Sequence, residues 1–143
     1  MIYFDTAFIA KCYLNEPGAA QVRALARVSE NLCSCELARV EFFATVHRHL
    51  REEHIRRSHA DEVLACFESD EKAGVWEWVE VTPDLMRTTC DVLRRLAPTV
   101  FVRAMDAVHL VCARTRGLSA VYTNDRHMIA AAPHFLIEAK SMT

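Results

Sequence analysis

Asp5, Glu41, Asp106 and Asp125 stand apart from the other acidic residues because solvent exposure does not account for their positions. Asp5 closes the apolar run Met1-Ile2-Tyr3-Phe4, and Asp125 follows Val121-Tyr122-Thr123 by two positions, so each carboxylate projects where a strand leaves a sheet. In open parallel sheets ligands gather at that carboxyl edge, above all where the strand order reverses. Asp106 lies in Ala104-Met105-Asp106-Ala107-Val108-His109-Leu110-Val111-Cys112-Ala113, which is apolar on nearly every side and so reads as a buried helix. A carboxylate there is costly unless it meets a cation or a set of hydrogen-bond donors. Glu41 lies one turn after Leu37, on the border of the stripe that faces the core. The runs Glu52-Glu53, Asp61-Glu62 and Glu68 to Glu71, by contrast, are ordinary solvated helix faces.

Each of the four acids has a local alternative. Asp5 and Asp125 are good N-caps for the helices that follow them. Asp106 has Arg103 or Arg126 as an ion-pair partner, or the positive end of its own helix, and Glu41 has Thr45 or Arg48 one or two turns on. One explanation covers all four, a divalent cation at the carboxyl edge of the sheet. An all-oxygen set suits Mg²⁺ or Mn²⁺ rather than zinc or copper. Mg²⁺ keeps most of its waters and touches one or two carboxylates, which makes Asp5 and Asp106 the expected direct ligands, with Glu41 and Asp125 acting partly through water. Without a cation the four charges repel, and some should take up protons.

The elements that must position these acids are legible in outline. Residues 1 to 5 predict a buried strand, followed by a short helix to Leu14, a turn at Asn15 to Gly18 and a helix to about Val28. A small strand spans Leu32 to Cys35. Helices follow from Leu37 to about Arg51 and from Ser58, as N-cap, to about Ala73. Val75 to Val81 alternates as a strand, and Thr82-Pro83 opens a helix to about Leu96. Arg103 to Arg116 reads as a helix ended by Gly117, Ala120 to Thr123 as a strand, Asp125 to Ala131 as a helix and Phe135 to Glu138 as a last strand. Strands alternating with helices predict an α/β fold of three layers, α/β/α, around a central, mostly parallel sheet.

The chain has 143 residues, which predicts one domain over 1–143. Its 52% hydrophobic and 25% charged residues, with 3 Gly and 4 Pro, exclude disordered, collagen-like and low-complexity classes. No apolar run approaches the roughly 20 residues of a bilayer span. Met1 to Glu16 has no basic leader and carries Asp5 inside its apolar stretch, so a cytoplasmic protein is expected. The 6 cysteines sit among apolar residues and read as small core side chains. Cys33 and Cys35 share one face of their strand, and no second Cys/His pair follows at zinc-finger spacing.

Four segments resemble, in order and spacing, the acidic motifs of PIN-domain ribonucleases: Tyr3-Phe4-Asp5-Thr6, Glu36 to Glu41, Arg103 to Leu110 and Tyr122 to Asp125. The chain is similar in particular to the VapC-type toxins of toxin–antitoxin pairs, and the likeness runs almost end to end. It implies Asp5, Glu41, Asp106 and Asp125 as a metal-binding quartet and Thr123 as an orienting hydroxyl beside the substrate. His109 also matches, as a packed or supporting imidazole rather than a general base. Two departures are visible, Ala7 where a small hydroxyl residue often follows the first motif and Cys35 where Ser often precedes the Glu helix. Both bear on the hydrogen bonds around Asp5 and Glu41, and neither removes a carboxylate.

The activity so implied is Mg²⁺-dependent hydrolysis of RNA phosphodiester bonds, with Mn²⁺ as a substitute. The 17 basic and 19 acidic residues give a formal net charge of -2, but discounting four caged acids turns this to +2. Arginines are 14 of the 17 basic residues, and they suit bidentate phosphate contacts. His47 to Arg57 is the densest basic patch, with Arg48 and Arg51 as candidate RNA contacts or, alternatively, as part of a solvated helix end. Single-stranded or loop RNA is favoured over duplex. An antitoxin protein and a homodimeric partner are further implications, with the helices around residues 19 to 28 and 37 to 50 as receiving surfaces. The competing reading is a non-catalytic PIN-like module that binds protein or RNA. A haloacid-dehalogenase site would want a second Asp where Ala7 stands, and the chain has no phosphate-binding G-x-x-x-x-G-K-[ST] loop.

Overall fold

Tyr3 and Phe4 are both fully buried although they point to opposite faces of a strand, so β1 (Ile2–Phe4) must run between two layers. The computed structural model describes residues 1–142 and shows why. β1 lies at the centre of a five-stranded sheet of order β3-β2-β1-β4-β5, in which every pairing is parallel. The chain moves outward through α1 (Thr6–Tyr13), α2 (Ala19–Val28), β2 (Leu32–Cys35), α3 (Leu37–Arg51), α4 (Arg57–Lys72) and the edge strand β3 (Trp76–Val79). It then returns through α5 (Pro83–Arg95) and α6 (Ala104–Thr115) to β4 (Ala120–Tyr122), on the other side of β1. α7 (Arg126–Ala131), a 3-10 turn at Ala132–Phe135 and β5 (Glu138–Lys140) complete it. The strand order therefore reverses between β1 and β4, and a crevice opens beyond the carboxyl ends of those two strands.

Two apolar layers hold the sheet. One face carries Phe4 and Leu32 against Phe8, Phe42 and Phe67 of α1, α3 and α4. The other carries Tyr3, Cys33, Cys35 and Val121 against α5, α6 and α7. α6 is buried continuously from Asp106 to Ala113, as its all-round apolar sequence requires, and Gly117 takes a φ of +79° that ends the helical run. Cys33 and Cys35 share a face as their spacing predicts, and all 6 cysteines are free. No helix among the described residues is long and apolar enough to cross a membrane.

The sheet, expected to be mostly parallel, is parallel throughout. Three local expectations change. The last strand is Glu138–Lys140, not Phe135 to Glu138, because Pro133 sets a 3-10 turn that buries Phe135, and Leu136 reverses the chain at a φ of +59° before pairing begins. Ser58 does not cap α4. The cap position falls on the extended backbone of Arg56, whose side chain makes no cap hydrogen bond, and Ser58 lies exposed in the first turn. β3 is also shorter than the alternation from Val75 to Val81, since only Trp76–Val79 meet partners on the four-residue strand β2.

Candidate active site

The crevice at the strand-order reversal is a cavity of about 390 Å³, and all four acids singled out in the sequence line it. Asp5 and Asp125 arrive there as N-caps. Asp5 Oδ1 accepts from the Phe8 N–H at 2.8 Å, and Asp125 Oδ1 accepts from the N–H groups of His127 and Met128 at 2.8 and 3.0 Å. Capping and site duty are thus compatible, because each carboxylate has a second oxygen. Thr123 is buried, and its hydroxyl accepts from the Asp125 N–H at 3.0 Å, holding the turn that presents Asp125.

Glu41 comes from the middle of α3. Its Oε2 accepts from the Thr6 hydroxyl at 2.5 Å and lies 2.9 Å from His109 Nε2. Thr45 does not pair with this carboxylate; its hydroxyl donates to the Glu41 carbonyl, one turn back. His109 is almost fully buried and meets the Tyr3 hydroxyl at 2.8 Å through Nδ1. A carboxylate only accepts, so Nε2 carries a proton toward Glu41. Burial lowers the His109 pKa, but Glu41, Cys35 and Asp5 outweigh it, leaving the net value above the ordinary 6.5. Burial likewise raises Glu41, and His109, Thr6 and Arg103 bring it below the ordinary carboxylate value.

Asp106 sits on the first turn of α6, where the helix end favours negative charge, and is 7% exposed. Its partner is Arg103, one of the two arginines expected. Arg103 Nε donates to Asp106 Oδ2 at 2.8 Å, and Nη2 donates to Asp125 Oδ2 at 2.5 Å. One guanidinium thereby bridges two of the four acids. Burial raises Asp125, yet the backbone N–H groups of Met128 and His127 together with Arg103 take it below its ordinary value. Burial pushes Asp5 the other way, to a net raised pKa that Thr123 and the Phe8 N–H offset only in part.

Among the described residues no group of three or more Asp, Glu, His or Cys side chains is placed to hold a metal ion together. The donor set nonetheless fits a hydrated hard cation, which needs only one or two carboxylates and completes its shell with water. A cation already bridges Asp106 and Asp125 in the form of Arg103, whose side chain is 57% exposed and so has solvent to swing into. The remaining candidates divide. Arg48 lines the same cavity, whereas Arg51 lines a separate groove with His47 and Arg57, near Glu52 at 3.7 Å. Thr6 and Tyr3 belong to the site although sequence reasoning does not single them out. Thr6 carries a signal, a hydroxyl directly after Asp5, while Tyr3 reads as core.

A family model described as PIN domain matches residues 2–133. No curated protein matches the chain by sequence. Among solved structures, the VapC20 toxin of Mycobacterium tuberculosis, described as cleaving the sarcin-ricin loop, superposes with a TM-score of 0.72 at 19% identity, over 92% of this chain and 95% of that one. A chain of a toxin–antitoxin complex from Klebsiella pneumoniae superposes with a TM-score of 0.63 at 13% identity, over 100% of this chain and 97% of that one. At these identities the likeness is one of fold.

Proposed function

This chain belongs to the PIN-domain family, and on that footing we propose that it is a Mg²⁺-dependent endoribonuclease, the toxin of a toxin–antitoxin pair. The observation that carries the reading is the convergence of Asp5, Glu41, Asp106 and Asp125 on one cavity at the strand-order reversal. Bound Mg²⁺ or Mn²⁺ supplies a Lewis acid for the scissile phosphate and a water of lowered pKa. Asp5 and Asp106 are the residues to hold it directly, with Glu41 and Asp125 as acceptors for its waters. Thr6 and His109 fix the Glu41 carboxylate in orientation, and Thr123 fixes the Asp125 turn. Arg103 would have to release Asp106 and Asp125 for these two carboxylates to serve an ion, and its exposed side chain has the solvent to do so. Arg48, on the cavity wall, contacts the RNA backbone; Arg51 meets RNA only beyond the site.

Val28 on α2 and Val40 and Phe43 on α3 are exposed, and they give an antitoxin segment or a second copy an apolar surface to cover. The Arg103 bridge favours a second reading, a non-catalytic module in which a guanidinium permanently satisfies the acids. One experiment separates the two. Single-stranded RNA is incubated with wild-type protein in Mg²⁺, in Mn²⁺ and in EDTA, and with Asp5→Ala and Asp106→Ala. The nuclease reading expects metal-dependent cleavage that falls more than about 100-fold in either variant, beyond the range for residues that only support a ligand. Cleavage surviving both substitutions would sink the assigned site, and a wild type that binds RNA without cutting it would favour the module.

A further inference from the structure

Next to the acid cavity lies a larger groove, of about 850 Å³, between the end of α1 and the α3–α4 turn. Its walls carry Lys11, His49, His54, Arg56 and His59 against a single acid, Glu16. Glu16 lines both spaces, and Ala10 and Arg48 of the acid cavity are chain neighbours of Lys11 and His49, so the two share a rim along α1 and α3.

Three cations of this rim are free of ion pairs, whereas His54 Nδ1 lies 3.6 Å from Glu52 Oε2. Glu16 is engaged by His49 Nε2 at 3.1 Å, and Lys11, Arg48 and Arg56 enter no ion pair among the described residues. Unpaired cations beside a charged cleft raise the local concentration of a polyanion and bind its phosphates. The groove also offers more than charge. Leu14 and Ile55 give it apolar surface, and the His49 and His54 rings meet edge-on at 5.5 Å, a lining suited to an unstacked base.

We infer that this groove is a subsite for the RNA strand on one side of the scissile bond, with phosphates on Lys11 and Arg56, a base against His49 and His54, and Arg48 at the threshold. The inference rests on the nuclease reading and extends it to the path of the substrate. A strand cut at the acid cavity must leave over its rim, and the rim beside Glu16 leads to cations free of ion pairs. An acidic protein segment would meet the same charges but has no need of continuity with the acid cavity.

The test uses the double variant Lys11→Gln/Arg56→Gln, with Arg94→Gln as a control because Arg94 is exposed on α5 and lines neither this groove nor the acid cavity. Two substrates are compared in Mg²⁺, an oligonucleotide of about 12 nucleotides and a dinucleotide that spans only the acid cavity. The double variant should lose about tenfold in kcat/KM on the oligonucleotide, mostly through KM, and stay within about twofold on the dinucleotide. In EDTA, its plot of log affinity for the oligonucleotide against log salt should be shallower by about 1.4, at about 0.7 for each lost phosphate contact. An unchanged KM and salt slope would overturn the inference and leave the groove to a protein segment. Equal losses on both substrates would also overturn it, by showing that the substitutions act on the acid site. If the wild type cuts neither substrate in Mg²⁺ or Mn²⁺, the nuclease reading fails first and takes the subsite with it.

Discussion

Glu41 is held from the core side by Thr6 and His109, whereas Asp106 and Asp125 are held from the solvent side by Arg103. The first arrangement continues inward: His109 rests on the buried Tyr3 hydroxyl, so the position of Glu41 is tied to β1 and to the packing of α6. The second ends at a side chain that is more than half exposed. Both halves neutralise carboxylates, but only one does so with a group that can leave. A buried network keeps a ligand oriented whether or not a cation is present, while an exposed guanidinium is an exchangeable cation. The pair of arrangements allows a site to be shaped in advance on one side and still admit an ion on the other.

The largest effect expected from breaking this contrast lies in the buried half. His109→Gln removes the ionisable ring that donates to Glu41 and leaves the Tyr3 hydroxyl without its Nδ1 partner. Cleavage should fall about 10- to 100-fold, the range for residues that orient a metal ligand. The unfolding free energy should drop by about 1–3 kcal/mol from the orphaned buried group. Thr6→Ser should retain most activity and Thr6→Val should not, since the hydroxyl and not the methyl meets Glu41. Rates from a cleavage assay and urea midpoints decide it. Full activity in His109→Gln would mean that Glu41 needs no preset orientation.

Arg103→Ala tests the exchangeable half and should act in the opposite direction. With the tethered cation gone, Mn²⁺ titrated without RNA should bind more tightly, by about 1 kcal/mol or roughly fivefold, the scale of solvent-exposed ion pairs. The metal-free protein should at the same time melt earlier, because Asp106 stays buried without its partner. Calorimetric titration of wild type and variant gives the sign directly. Weaker Mn²⁺ binding in Arg103→Ala would make the arginine a support for the ligands rather than a competitor of the ion.

The same contrast separates what is legible in the amino-acid sequence from what is not. Asp5 and Asp125 are legible because each follows a buried strand closely, and their capping bonds to Phe8, His127 and Met128 are local. Asp106 is legible because a carboxylate within an apolar helix needs a partner, and Arg103, three residues away, is among the candidates. Glu41 can be placed on the core border, but its partners are tertiary: Thr6 is 35 residues away and His109 is 68. No periodicity reports such a pairing, and the nearer Thr45 competes for the assignment for that reason. The bridge from Arg103 to Asp125 is hidden likewise, because it depends on β4 lying beside β1. Arg48 and Arg51 show the limit on helix faces. Three residues apart, they nevertheless line different cavities, since the wall between the two runs along α3. At the chain's end, the alternation of Phe135 and Ile137 imitates a strand because a 3-10 turn buries Phe135 while Leu136 projects into solvent.

The smallest effect, and the one that sharpens the comparison most, is the pH dependence of stability without metal. His109 has a raised pKa, so the stability it contributes is complete below its ordinary 6.5 and is lost as pH rises through the higher folded value. Glu41 has a lowered pKa, so its contribution is present above its ordinary 4.5 and is lost as pH falls through the folded value. Between those two ordinary values the buried pair stabilises in full. Asp125 resembles Glu41 in direction, while Asp5, raised by burial, contributes stability that fades as pH climbs above 3.8. In EDTA the melting temperature should therefore decline on the alkaline side by about 4 °C per kcal/mol of linkage. His109→Gln should remove the part of the decline that begins near neutrality and leave the part due to Asp5 in place. Arg103→Ala should leave the His109 step intact, because the guanidinium bridges the other two acids. If the neutral step persists in His109→Gln, or disappears in Arg103→Ala, the two halves of the site are one electrostatic unit, and the division between a preset side and an exchangeable side does not hold.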